Sequence, residues 1–160
     1  MKVVYAGTFD PITNGHMNII ERASRKFDEV FVVISVNPGK KHLFTTQERL
    51  QLCKEAVASL HNVSVSVDDG LTVDFCKKVH ADAMLRGIRD TKDYEYESGL
   101  AHVNAFLESD IETLFIMTKP ELSFISSSYV KEVASYHRDV SPLVPEAVAK
   151  ALEEKYKEEL

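Results

Sequence analysis

The apolar run Val3-Val4-Tyr5-Ala6 gives way to Gly7-Thr8-Phe9-Asp10-Pro11-Ile12-Thr13-Asn14-Gly15-His16. Met17, Ile20, Ala23 and Phe27 then follow at the spacing of a helix's buried stripe. Glycines, hydroxyls and a histidine therefore occupy a strand-to-helix loop. There the free backbone N–H groups and the positive end of the helix dipole point the same way, which suits phosphate. His16 adds a directional donor to a phosphoryl oxygen, and Thr8 sits where the loop would meet the anion. Asp10 is either a general base or, the preferred reading, a carboxylate that holds the loop through backbone N–H groups.

Three more groups of residues can do chemistry. Lys40, Lys41 and His42 follow the turn Pro38-Gly39, and one of the lysines, Lys40 ahead of Lys41, is expected to contact phosphate. Arg86 closes the apolar run Ala83-Met84-Leu85 and directly precedes Gly87. A charge there needs a partner, because an isolated buried charge is very costly, and a phosphate suits the planar guanidinium fork. Arg89 can pair with Asp90 or Asp93 on the surface, but a role on a polyphosphate is the preferred reading. Ser126, Ser127 and Ser128 precede a helix, where cap hydroxyls and phosphate donors are compatible roles. Asp93, Glu95 and Glu97 form an acidic face that reads as solvated, with Glu97 near the Arg86–Arg89 loop. The G-x-S-x-G elbow, the G-x-x-x-x-G-K-[ST] loop and the G-x-G-x-x-G fingerprint are all absent from the sequence.

These residues need a frame, and the apolar pattern supplies one. Strands are predicted at Lys2–Ala6, Val30–Val36, Val63–Val67, Ala83–Arg86 and Thr113–Thr118. Helices are predicted near His16–Phe27, Thr46–Leu60, Thr72–His80 and Lys92–Glu108, then Ser127–His137 and Glu146–Glu158. The second helix shows Leu50, Cys53, Val57 and Leu60 on one face and opens with a capping-box pattern, Thr45-Thr46-Gln47-Glu48. The fourth shows Tyr96, Leu100, Val103 and Leu107. The run Glu153–Glu159 reads as a solvated helix end. Strand–helix alternation implies parallel strands joined by right-handed crossovers. The fold class is therefore α/β: a single Rossmann-like doubly wound domain over residues 1–160. Its five-stranded parallel sheet has helices on both faces, and C-terminal helices run from about 127 onward. Ligands of such sheets bind beyond the carboxyl ends of the strands, where strand order reverses. Gly7–His16, Asn37–His42, Asp68–Thr72, Arg86–Asp90 and the loop ending in Ser126–Ser128 each follow a strand, so all fall on that one edge.

The chain has 160 residues, 44% of them apolar and 28% charged, which fits a soluble globular protein. A net charge of −6 argues against a nucleic-acid binder but not against a small anionic ligand held by local basic groups. Cys53 and Cys76 read as inert core thiols. No leader pattern or membrane-length apolar run is seen, so a reduced, cytoplasmic setting without membrane attachment is expected.

Thr13-Asn14-Gly15-His16 resembles the T/H-x-G-H signature of the nucleotidylyltransferase superfamily. Ile125-Ser126-Ser127-Ser128 resembles its I-S-S-[ST] signature. Together with Gly7-Thr8-Phe9-Asp10-Pro11, Arg86-Gly87-Ile88-Arg89 and Asp93-Tyr94-Glu95-Tyr96-Glu97, they are similar in order and spacing to the bacterial phosphopantetheine adenylyltransferase family, almost from end to end. The resemblance implies adenylyl transfer from ATP to 4′-phosphopantetheine, with Mg²⁺, giving 3′-dephospho-coenzyme A and pyrophosphate. It implies His16, Lys40 and Arg89 as catalytic residues. Thr8, Lys40, Thr72 and Arg86 would hold phosphopantetheine. The ATP site would comprise Thr8, Phe9, His16, Gly87, Ile88, Arg89, Glu97, Leu122, Ser123, Phe124, Ile125, Ser126, Ser127 and Ser128.

It further implies a homohexamer and coenzyme A as a feedback ligand. No all-protein metal cage is visible, so the magnesium is expected to arrive with ATP. Two departures stand out: Ala6 replaces a common proline, and Asp90-Thr91 replace a small apolar pair, placing a carboxylate beside Arg89. Alternatives are another transferase of the superfamily, such as one acting on nicotinamide mononucleotide, and a non-catalytic nucleotide sensor.

Overall fold

The computed structural model describes residues 1–157. Five strands form one parallel sheet: β1 Lys2–Gly7, β2 Glu29–Ser35, β3 Val63–Asp68, β4 Ala83–Ile88 and β5 Glu112–Met117. Their order is β3-β2-β1-β4-β5. The chain moves outward from β1 to β3, then returns to the other side of β1 to form β4. Strand order therefore reverses between β1 and β4.

The helices are α1 Asn14–Lys26, α2 Thr46–Ala56, α3 Thr72–Val79, α4 Thr91–Leu107, α5 Ser127–Ser135 and α6 Glu146–Lys157. One short 3₁₀ turn, Pro120–Leu122, lies between β5 and α5. The central strands are buried on both faces and alternate between two cores. Val3 and Tyr5 of β1, Val32 and Ile34 of β2, and Leu85 of β4 face the core shared with α1, α2, α5 and α6. Val4, Ala6, Val33 and Met84 face the core shared with α3. This is the period-two pattern of strands covered on both sides.

Two helices end earlier than their apolar spacing predicts. α2 stops at Ala56 and is capped by Val57. Val57 remains in the core and Leu60 packs against it, so their burial comes from a turn rather than from helix. α5 stops at Ser135, before His137 enters the left-handed region at φ 57°. Glu158 and Glu159, at the end of the predicted terminal helix and acidic run, lie outside the described residues.

The fourth helix departs from expectation in its orientation. Glu97 is the one buried residue of α4. Tyr96 is 67% exposed, Val103 55%, Leu107 46% and Leu100 36%. The apolar stripe therefore faces outward. Phe106 lies 88% exposed beside it, and the edge strand β5 adds Phe115 and Met117.

Candidate active site

The β1–α1 loop opens into α1 through a reciprocal cap. The Thr13 side chain accepts from the backbone N–H of His16, and the His16 ring accepts from the backbone N–H of Thr13 at 3.0 Å through Nδ1. The Thr13 hydroxyl lies 3.2 Å from the same nitrogen. A backbone N–H can only donate, so Nδ1 must accept and the ring proton must sit on Nε2. Nε2 makes no hydrogen bond to any described residue, and the ring lines a cavity. Protonating Nδ1 would set one N–H against another. Burial, with Arg89 nearby, lowers the His16 pKa to about 4. His16 is therefore a neutral donor with a fixed tautomer at neutral pH.

The cavity, about 280 Å³ in volume, lies between β1 and β4, where strand order reverses. Tyr5, Ala6 and Gly7 come from β1 and Arg86 and Gly87 from β4, with Arg89, Ile125, Ser126 and Ser127 at the rim. Phe9 is buried in the left-handed region at φ 49°, a position that costs a non-glycine residue about 1–2 kcal/mol. That backbone turns its ring edge-on to His16, with centroids 4.9 Å apart, and to Tyr5 at 5.6 Å. Gly87 allows α1 to approach the sheet: a Cβ there would lie 2.4 Å from Ile19 Cδ1.

Both arginines are clamped by carboxylates. Arg86 donates from Nε and Nη2 to the two Glu97 oxygens at 2.6 and 2.8 Å, and from Nη1 to the Ala6 carbonyl at 2.9 Å. Burial alone would lower its pKa, but Glu97 outweighs this and the guanidinium stays charged. The partner that burial demanded is thus a carboxylate eleven residues away. Arg89 donates from Nε and Nη2 to Asp93 at 2.9 and 3.2 Å. Asp93 is therefore not part of a solvated face. Asp90, the departure noted in the sequence, accepts from the Asp93 backbone N–H as the cap of α4.

Asp10 holds a neighbouring loop rather than its own. It accepts from Leu43 N–H at 3.0 Å, Phe44 N–H at 2.9 Å and Lys131 Nζ at 3.0 Å. Burial pushes its pKa up, but those donors outweigh it and the net shift is downward. Ser127 Oγ donates to the Pro11 carbonyl at 2.8 Å, so α5 is tied to the same loop.

A second cavity, of about 220 Å³, lies on the other side of Arg86 and Glu97 and is lined by Thr72, Leu71, Leu100 and Asn104 among others. The fold brings Phe9, His16, Arg86, Gly87, Arg89, Glu97, Ile125, Ser126 and Ser127 to the first cavity. Thr72, Arg86 and Glu97 meet at the second. Thr8, Lys40, Ile88, Leu122, Ser123, Phe124 and Ser128 line neither. Lys40 is on an exposed turn, and Ser123 Oγ donates to the Pro120 carbonyl at 2.8 Å. Sequence reasoning missed Tyr5 and Thr118 as cavity walls. The pairing of Arg89 with Asp93, which the sequence offered second to a polyphosphate role, is the contact that forms, at i,i+4 spacing.

Residues 4–133 match the cytidylyltransferase-like family. A phosphopantetheine adenylyltransferase of Staphylococcus carnosus is 50% identical over 155 residues, covering 97% of this chain and 96% of its own. Another from Shouchella clausii is 46% identical, covering 98% of each. A third, from Levilactobacillus brevis, is 48% identical over 93% of this chain and 92% of its own.

Proposed function

The chain belongs to the cytidylyltransferase-like family and, within it, to the phosphopantetheine adenylyltransferases, and from that premise we propose that residues 1–160 act as one domain transferring the adenylyl group of ATP to 4′-phosphopantetheine. A terminal phosphate oxygen of phosphopantetheine attacks the α-phosphorus in line. The bond to the β-phosphate breaks, pyrophosphate leaves, and 3′-dephospho-coenzyme A forms without a covalent intermediate. The nucleophile is already an anion near neutral pH, so no general base is required. The difficulty is aligning two anions that repel each other while stabilising charge on the α-phosphate and the leaving group.

The reading is carried by the neutral, tautomer-fixed His16 facing a cavity at the switch point, with Arg86 forming the wall to a second cavity. His16 Nε2–H is assigned to the α-phosphate. Arg86 has five N–H groups and three are engaged, leaving two for the phosphate of phosphopantetheine. Its arm is assigned to the second cavity with Thr72. Glu97 holds the guanidinium square. Thr8 meets both substrates, and Lys40 reaches the nucleophile from its exposed turn. Arg89, Ser126, Ser127, Ser128 and the N-terminus of α5 take the departing charge. Phe9, Gly87, Ile88 and the segment Leu122–Ile125 surround the nucleotide.

No group of three or more His, Cys, Asp or Glu side chains among the described residues forms a metal cage. Magnesium is assigned to the phosphates of ATP, retaining waters. Coenzyme A, which shares both ends of the product, would compete for the same two cavities. The outward apolar face of α4 and the β5 edge are assigned to contacts in a homohexamer. No helix among the described residues is long and apolar enough to cross a membrane. Burial pushes the Cys53 thiol up to about 12 and Cys76 up to about 11, which supports inert thiols. The test is incubation with ATP, Mg²⁺ and 4′-phosphopantetheine, with mass analysis for dephospho-coenzyme A. Turnover of nicotinamide mononucleotide instead, or binding without turnover, would overturn the proposal.

A further inference from the structure

Arg49, in the first turn of α2, is 1% exposed, the largest of the fully buried side chains. Nη1 donates to the Thr8 carbonyl at 2.9 Å and Nη2 to Thr46 Oγ1 at 3.1 Å. Nε is buried with no hydrogen-bond partner. Arg86 has Glu97 and Arg89 has Asp93, but no carboxylate of the described residues lies within 4.0 Å of an Arg49 nitrogen. The adjacent Glu48 is taken by the Thr45 N–H and by Lys155. Asp10, two residues from Thr8, is taken by Leu43, Phe44 and Lys131.

A guanidinium buried without a counter-ion is unfavourable, and an apolar side chain of similar volume is often the more stable choice there. Stability therefore gives no reason for this charge. Its position does. From α2 it holds the carbonyl of Thr8, the residue before the left-handed Phe9 on the loop that carries His16. Asp10 binds the backbone at the entrance to α2 while Arg49, from α2, binds the backbone of the Asp10 loop. The two loops are thus latched in both directions.

We propose that Arg49 is a positioning residue of the phosphate rim: it fixes Thr8 and supplies, from behind the loop, a buried positive charge whose counter-charge is the phosphate of the substrates. This rests on the phosphate-transfer reading above. In low-dielectric surroundings such a charge acts over distances at which exposed lysines are screened.

The test compares Arg49→Met, Arg49→Lys and Arg49→Gln by calorimetric titration with inorganic pyrophosphate and with uncharged adenosine, alongside thermal unfolding. Arg49→Met is expected to fold and to lose roughly tenfold or more in pyrophosphate affinity while changing adenosine affinity less than about twofold. The difference should persist at raised ionic strength. Arg49→Lys should recover most of the lost affinity. Equal losses for both ligands, or lysine no better than methionine, would overturn the inference. If Arg49→Met does not fold, Arg49→Gln, which can still donate to Thr8, takes its place, and wild-type pyrophosphate affinity in that variant would be decisive against it. Failure of the wild-type protein to make dephospho-coenzyme A would remove the function reading and leave this comparison standing.

Discussion

Replacing His16 with alanine removes the one donor in the first cavity whose proton position is fixed by its own cap. The loss on the reaction side is that of a single oxyanion donor, about 3 kcal/mol, or roughly two decades in kcat. The fold pays a smaller cost. The Thr13 N–H loses its acceptor and the Phe9 ring loses an edge-on neighbour at 4.9 Å, together about 1–2 kcal/mol. For a chain of this size that is a drop of roughly 2–8 °C in Tm. His16→Gln, whose carboxamide can still donate, should fall between the alanine variant and the wild type. The assay is initial-rate pyrophosphate release with both substrates saturating, with circular dichroism as the control for folding. A folded His16→Ala protein with kcat within about threefold of wild type, or one in which only KM rises, would refute the reasoning.

Other outcomes follow from the same geometry. Arg86→Ala should weaken phosphopantetheine more than ATP, and should cost about 3 kcal/mol of stability because Glu97 is left buried and unpaired; denaturant titration beside separate KM measurements checks both. Gly87→Ala should destabilise by about 1–3 kcal/mol as its methyl meets Ile19 Cδ1, and Ile19→Val, which deletes that carbon, should restore part of the loss. The lowered His16 pKa gives a pH signature. Because the folded value, about 4, lies below the ordinary 6.5, its contribution is intact above pH 6.5. It falls as pH drops toward 4, where the unfolded chain takes up a proton that the folded protein does not. The loss is at most about 3 kcal/mol, less as far as cavity water solvates the ring; urea titrations of wild type and His16→Gln across that range should differ by this component. Imidazole NMR should find the Nε2–H tautomer at pH 7, and an Nδ1–H tautomer would contradict the cap argument.

Much of this molecule is written locally. Strand–helix alternation, the Thr45–Glu48 cap and the loop opening into α1 all depend on residues within a few positions of one another, and all are present. The parallel sheet follows because crossover handedness leaves few alternatives. Local pattern also gathers the polar loops at the carboxyl ends of the strands, and so locates the rim without placing any side chain on it. The partners of those side chains depend on chain closure. Asp10 meets Phe44 across 34 residues and Lys131 across 121. Arg86 could be read as needing a partner, but not as having Glu97; Asp93 could be read either as a surface partner of Arg89 or as part of a solvated face, and the fold selects the pair. The stripe on α4 illustrates the limit most simply. Periodicity specifies that a face is apolar, while whether it turns inward depends on how much sheet β4 and β5 leave for it to cover. Arg49 is the converse: a residue type that belongs at the surface, buried because the Thr8 loop closes over it. Sequence determined the elements and the edge at which they converge; tertiary structure alone decided which charges face one another there, because pairing across the chain is set by three-dimensional proximity and not by spacing along it.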